Sequence, residues 1–190
     1  MMTVGILALQ GAFTEHEKML DALDTKYFEI RRQCDINRPM DALIIPGGES
    51  TVMGRLLREL RLMEPLRHKI FTGLPVFGTC AGLIVLAEKI DGDHTVHLGT
   101  MSVCARRNAY GRQLGSFSTF GDFAFCGNIP MVFIRAPYIT ECGTDVEVLS
   151  VCDGRIVAAR QGNQLVTAFQ PELTNDLTVH KYFIDEVCKK

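Results

Sequence analysis

The chain has 190 residues, of which 47% are hydrophobic and 22% are charged, and its formal net charge is −2. This length suits one domain with a well-buried core, so we expect a single domain over residues 1–190. The small net charge and the lack of a basic stripe argue against a nucleic-acid-binding or membrane-surface protein.

Cysteine usage and the N-terminal sequence favour a cytoplasmic protein. The first apolar run, VGILAL, is too short for a signal peptide or a membrane span. The seven cysteines form no CxxC pair and no Cys/His cluster with zinc spacing. We therefore expect no disulfide framework, no metal site and no cofactor.

The first half of the chain alternates between strand and helix patterns. TVGILALQG predicts a strand, and a helix follows from Thr14 to about Leu23. YFEIRR predicts a second strand and DALIIPGGES a buried third strand, before a helix from Val52 to Leu62 that a Ser-Thr pair would cap. LPVFGTCAGLIVLAEKI predicts a strand, a glycine-flanked turn and an apolar helix. This alternation indicates a parallel sheet with helices on both faces and a ligand site at the carboxyl ends of the strands.

The second half is richer in strands. Four segments predict them: HLGTMSVCARR, MVFIRAPYI, VEVLSVCDGRIVAARQ and QLVTAFQ. Asp153-Gly154 predicts a hairpin turn, and the stretch from Thr174 to Cys188 predicts a closing helix. The expected fold is therefore a three-layer, flavodoxin-like α/β structure with a mostly parallel sheet and an antiparallel extension.

FGTCAGL is the most informative stretch for chemistry. A nucleophile between two glycines, where a strand meets a helix, is typical of a nucleophile elbow, and the nucleophile here would be Cys80. The helix N-terminus would lower the pKa of the thiol, and the N–H of Ala81 would help to hold an oxyanion. The alternative is that Cys80 is a small buried core residue.

The stretch IIPGGESTV offers a second half for an oxyanion hole. The two glycines let backbone approach a ligand, and the N–H of Gly48 would face Cys80. The alternative is a glycine turn before a helix that Glu49 and Ser50 merely cap.

AFQPEL places an amide and a carboxylate two residues apart. Side chains two apart on a strand point the same way, so Gln170 and Glu172 should face one space.

Seven motifs occur in order between residues 6 and 174: ILALQGAFTEHE, LIIPGGEST, FGTCAGLI, RNAYGRQ, FIRAP, GRIVAA and PELT. Together they resemble the glutaminase subunits of pyridoxal 5′-phosphate synthases, within the class I, triad-type glutamine amidotransferases. The resemblance implies that a Cys-His-Glu triad hydrolyses L-glutamine to glutamate and ammonia. It also implies that the ammonia passes to a (β/α)-barrel synthase subunit in a large hetero-oligomer that makes the cofactor.

The resemblance assigns roles to individual residues. Cys80 is the nucleophile and Glu172 the orienting carboxylate. Gln10 matches a residue near the mouth of the site and the partner contact. The positions that match glutamine-binding residues are Gly48, Glu49, Ser50, Arg107, Ile134 and Arg135.

One triad position departs from the family pattern. The family has His-Pro-Glu, whereas this chain has Gln170-Pro171-Glu172. An amide cannot take the thiol proton, so we expect impaired hydrolysis with retained glutamine binding. Gln170 should still bond to Glu172 or to the sulfur. The five histidines are expected to be packing or solvated residues: His16, His68, His94, His97 and His180.

Two alternatives remain open. The chain could be a non-catalytic glutamine-binding or regulatory subunit that docks on the synthase, or a cysteine hydrolase or thiol sensor that uses Cys80 without glutamine. Gln170 itself would be either an inactivating substitution or a natural change.

Overall fold

The computed structural model describes residues 2–107, 115–124 and 126–189. The helices are α1 Phe13–Ala22, α2 Ser50–Glu59, α3 Met63–Phe71, α4 Ala81–Leu86 and α5 Thr178–Tyr182. Short 3-10 turns span Gln33–Asn37 and Pro171–Leu173, and a π turn spans Phe183–Val187. The strands are β1 Thr3–Leu7, β2 Lys26–Ile30, β3 Ala42–Ile45, β4 Val76–Thr79, β5 Ala87–Ile90, β6 Met101–Arg106, β7 Ser116–Asp122, β8 Asn128–Ile134, β9 Tyr138–Cys142, β10 Glu147–Cys152, β11 Arg155–Gln161 and β12 Gln164–Thr167.

The large sheet has the strand order β2-β1-β3-β4-β12-β11-β9-β6-β5, and β10 pairs with β11. Strands β2, β1, β3, β4 and β12 are parallel, whereas β12 to β11, β11 to β9 and β9 to β6 pair antiparallel. The α/β fold with a mostly parallel sheet and an antiparallel extension is confirmed.

The centre of the parallel region is buried along its full length. Every residue of β3, β4 and β12 is buried, which is typical of strands covered on both faces. At their carboxyl ends these three strands lead to the PGG loop, to Cys80 and to the QPE turn, so the three predicted motifs meet at one edge of the sheet.

Two element predictions were wrong at their boundaries. MVFIRAPYI is not one strand: Arg135 has φ 44° and separates β8, in a two-stranded sheet with β7, from β9 in the large sheet. The helix after Cys80 ends at Leu86 rather than continuing through AEKI. The last carbonyls of this helix accept hydrogen bonds from a later segment: Leu98 N–H donates to Val85 O and Thr100 N–H donates to Leu86 O, both at 2.9 Å.

Local capping also differs from expectation. Glu49, not the Ser-Thr pair, caps α2, and its carboxylate accepts the N–H groups of Thr51 and Val52 at 3.2 Å. The closing helix begins at Thr178, where the side chain of Asp176 accepts the Thr178 N–H at 2.8 Å. The Asp153-Gly154 hairpin turn between β10 and β11 is confirmed. Among the described residues, no helix has the length and apolar character needed to cross a membrane.

Candidate active site

Cys80 occupies a sharp turn between β4 and α4. Its φ and ψ are 48° and −95°, a conformation that non-glycine residues seldom adopt, and its N–H donates to Thr167 O at 2.8 Å. The first turn of α4 also packs closely on β3, because a Cβ at Gly82 would lie 2.2 Å from Ile45 O. These are the geometric features of a nucleophile elbow.

Backbone N–H groups converge on the Cys80 sulfur from two sides. Those of Ala81 and Gly48 both act to lower the pKa of its thiol, which indicates that the two predicted oxyanion donors face the same sulfur. Gln10 holds the second loop in place: its amide donates to Glu49 O at 3.1 Å and accepts the Glu49 N–H at 3.2 Å.

The expectation of a low thiol pKa was wrong. Burial, followed by the nearby Glu172 carboxylate, raises the pKa of Cys80 to about 12. The N–H groups of Ala81 and Gly48 and the charge of Arg135 act in the opposite direction without offsetting burial. At neutral pH the Cys80 side chain is therefore a thiol rather than a thiolate.

The QPE segment lies beyond the last central strand. Strand β12 ends at Thr167, and Gln170 precedes the 3-10 turn that carries Glu172. The prediction that strand alternation points the two side chains into one space was therefore wrong. They instead reach Gly47 from two directions: a Cβ on Gly47 would lie 2.0 Å from Gln170 Oε1, and the Gly47 N–H donates to Glu172 Oε1 at 3.4 Å.

Glu172 is buried, with 3% of its surface exposed, and is held by one oxygen. Its Oε1 accepts the Thr79 hydroxyl at 2.8 Å and lies 3.4 Å from His16 Nε2. Its Oε2 is buried and has no hydrogen-bond partner among the described residues. Gln170 was expected to bond to Glu172 or to the Cys80 sulfur, but its amide oxygen lies against Gly47, and Glu172 Oε2 has no partner among the described residues.

An open cavity of about 660 Å³ covers the sulfur. The cavity is lined by all of the predicted site residues except Gln10, Ala81 and Glu172, namely Gly48, Glu49, Ser50, Cys80, Arg107, Ile134, Arg135 and Gln170. The Ile134 carbonyl lies 3.9 Å from the Cys80 sulfur. Arg107 forms an ion pair with Asp93 and donates to the Thr51 hydroxyl at 3.3 Å.

The remainder of the RNAYGRQ motif, residues 108–113, lies outside the described residues. Within the part of the chain that the structure describes, no group of three or more His, Cys, Asp or Glu side chains is arranged to hold a metal ion.

Sequence reasoning missed two residues beneath the site. His16 and His180 were assigned to packing or solvent. Both are fully buried and in contact with each other, and His16 also lies beside Glu172. They are 164 positions apart, so no local pattern could pair them. The available signal was that each lies in a helix next to a site motif.

Comparison with known proteins gives the family. Residues 6–189 match the family described as the SNO glutamine amidotransferase family. The chain belongs to that family. Two relatives named pyridoxal 5′-phosphate synthase subunit PdxT are 54% identical (Streptococcus pneumoniae, strain CGSP14) and 56% identical (Methanocorpusculum labreanum). The alignments cover 100% and 98% of this chain, and 98% of each relative.

Solved structures agree with the membership in the SNO glutamine amidotransferase family. A structure described as a glutamine amidotransferase has 42% identity and a TM-score of 0.92, over 97% of this chain and 98% of its own. PurLQS from Thermotoga maritima, at 14% identity and a TM-score of 0.72 over 97% of this chain and 99% of that one, shares the fold alone.

Proposed function

We propose that this chain is the glutaminase subunit of a pyridoxal 5′-phosphate synthase. As a single cytoplasmic domain it binds L-glutamine and docks on a (β/α)-barrel synthase subunit of a large hetero-oligomer. The names of its relatives and the convergence of the predicted site residues on one cavity support this proposal.

The cavity suits an amide substrate that also carries charges. A side-chain carboxamide above Cys80 would direct its carbonyl oxygen to the N–H groups of Gly48 and Ala81, which already reach the sulfur. The α-carboxylate of glutamine is complementary to the exposed guanidinium of Arg135 at the cavity wall. Arg107 lines the same cavity and holds its Asp93 and Thr51 neighbours in place.

The residue at 170 decides whether hydrolysis follows binding. A base must take the proton of Cys80 as the sulfur attacks the carboxamide carbon. It must then give that proton to the departing ammonia and activate water against the thioester. Gln170 cannot perform any of these transfers. Because the pKa of the Cys80 thiol is about 12, almost no thiolate forms at neutral pH without a base.

One observation carries the proposal. Glu172 is held in place, but its Oε2 has no partner in the part of the chain that the structure describes, and this is the acceptor that an imidazole at position 170 would need. The site therefore has an orienting carboxylate for a base that the sequence lacks. The chain as it stands is expected to bind glutamine and hydrolyse it very slowly.

The first prediction is that Gln170→His restores hydrolysis. Loss of the base from a comparable triad removes roughly three to six orders of magnitude of rate, so we expect a gain of at least about a thousandfold. The measurement is glutamate and ammonia release with the synthase subunit present. Gln170→Asn, which restores no base, and Gln170→His combined with Cys80→Ala serve as inactive controls.

The second candidate, a non-catalytic glutamine-binding subunit, is favoured by the high thiol pKa and the missing base. It predicts that Gln170→His gains little while complex formation with the synthase persists. The thiol-sensor alternative fits poorly, because sensor cysteines are low-pKa thiols. Equal reaction of Cys80 with a glutamine-mimicking electrophile and with a generic thiol reagent would support it.

A further inference from the structure

A chain of buried polar side chains runs from the closing helix to Glu172. His180 Nε2 on α5 lies 2.9 Å from His16 Nδ1 on α1. On its other side, His16 Nε2 lies 3.3 Å from the Thr79 hydroxyl and 3.4 Å from Glu172 Oε1. The two histidines and Thr79 are each fully buried. Buried polar groups in this arrangement are either satisfied by one another or costly.

The proton positions in this chain follow from its donors and acceptors. The Thr79 hydroxyl has one proton and donates it to Glu172 Oε1 at 2.8 Å. The ring nitrogen of His16 that faces both oxygens must therefore carry a proton, because a lone pair there would face only other lone pairs.

His180, which lies behind His16 in this series of buried side chains, is neutral. Burial, followed by the neighbouring His16, holds the pKa of His180 well below its usual value. With Nε2–H of His180 donating to Nδ1 of His16, the His16 ring is fixed as the tautomer that donates from Nε2. The cost is that Nδ1 of His180 is left without a partner among the described residues.

Among the described residues, the polar groups that approach the Glu172 carboxylate all meet the same oxygen. Thr79, Gly47 and His16 converge on Oε1, from a strand end, a loop and a helix. Fixing one oxygen from three directions fixes the plane of the carboxylate and hence the direction of Oε2. That free oxygen is the one available to a base at position 170.

We propose that His16, held in one tautomer by His180, is a positioning residue that fixes and stabilises the Glu172 carboxylate. This inference rests on the proposed function, because the orientation of Glu172 matters only if a base is to be oriented. His16 does not touch the substrate cavity and acts through Glu172 alone. The titratable groups around this carboxylate are His16, His180 and the Cys80 thiol, with Arg135, Glu15 and Glu49 at the cavity wall.

The test uses the full chain with Gln170→His and the synthase subunit, so that turnover can be measured. In that background, His16→Asn and His16→Gln form a matched pair. The longer amide of Gln can place a donor where Nε2 lies, whereas that of Asn reaches only the Nδ1 position. We expect His16→Gln to retain most of the activity and His16→Asn to lose about 10- to 100-fold in kcat, with little change in KM.

The pH profile separates positioning from general destabilisation. A carboxylate that loses a donor holds its charge less well, so the acidic limb of the kcat/KM profile should move to higher pH in His16→Asn. Leu20→Ala, at a fully buried position one turn along α1, is the control. It should lower the melting temperature without moving the profile.

The outcomes distinguish this inference from the proposed function. An inactive Gln170→His variant would contradict the proposed function. An active Gln170→His variant, with the same profile and kcat in His16→Gln and His16→Asn, would overturn the role of His16. A loss in His16→Asn that Leu20→Ala reproduces at equal stability would overturn it as well.

Discussion

At the scale of single residues, the candidate site holds one cysteine in a strained backbone conformation and with a raised thiol pKa. Cys80 is held at φ 48° with two N–H groups at its sulfur, yet burial and Glu172 raise its pKa to about 12. The oxyanion donors and the helix end do not compensate for a buried thiol beside a carboxylate. A neighbouring imidazolium would supply the missing positive charge, and Gln170 does not.

The second prediction concerns the reactivity of this thiol. At pH 8, Cys80 should react with iodoacetamide at least about a hundredfold more slowly than an ordinary exposed thiol, because only the thiolate is nucleophilic. Its rate should rise about tenfold per pH unit up to the measured pKa. Because the Glu172 carboxylate raises that pKa, Glu172→Gln should increase the rate at a given pH.

Peptide mass spectrometry can follow Cys80 and the exposed Cys34 in the same sample, with Cys34 as the internal reference. Equal labelling of the two cysteines at pH 7, or slower labelling of Cys80 in Glu172→Gln, would contradict the prediction.

At the scale of elements, the elbow depends on how closely α4 approaches β3. The helix is only six residues long and entirely buried, and its first turn packs on the carbonyl of Ile45. Its contribution is therefore to position Cys80 and Ala81 rather than to add a long apolar face.

The third prediction is that Gly82→Ala destabilises the chain by about 1–3 kcal/mol and displaces the elbow. The added Cβ would lie 2.2 Å from Ile45 O, so α4 must shift away from the sheet. Urea unfolding measures the change in free energy. Gly115→Ala is the control, since its Cβ would meet no atom of the described residues within 4 Å, and a loss as large as that of Gly82→Ala would contradict the explanation.

Sequence patterns predicted the elements that carry local signals. The apolar runs of β1, β3 and β4, the glycines around Cys80 and the Asp153-Gly154 turn all depend on neighbours in sequence. The break at Arg135 and the early end of α4 depend on contacts with other segments of the chain, which no local pattern reports. The same limit hid the contact between His16 and His180.

At the scale of the whole molecule, the cavity lies where the two sheets meet. The β7–β8 hairpin contributes Ile134 and, just beyond it, Arg135 to the cavity wall. Phe133 of this hairpin packs edge-on against Phe169, with ring centroids 5.9 Å apart, and stacks on Phe117. Aromatic packing thus fixes the wall of the site relative to the parallel sheet.

The fourth prediction is that Phe133→Ala costs about 3–5 kcal/mol and weakens glutamine binding. The side chain is 1% exposed, and its loss leaves a hole beneath the residues that line the cavity. Denaturant unfolding and glutamine titration by calorimetry measure the two effects. Phe120→Ala on the same hairpin is the control, because that ring is 70% exposed, and it should leave both quantities nearly unchanged.

The positive φ of Cys80 sets the folding stability of the chain against the presence of a sulfur at this position. Glycine would adopt that conformation without penalty, so a chain optimised only for folding would gain by giving up the sulfur. The protein instead keeps an energetically unfavourable side chain at the one point where its helix, its loop donors and its carboxylate converge. Under the proposed function, this conformational cost is tolerated because the sulfur has to lie where these groups meet.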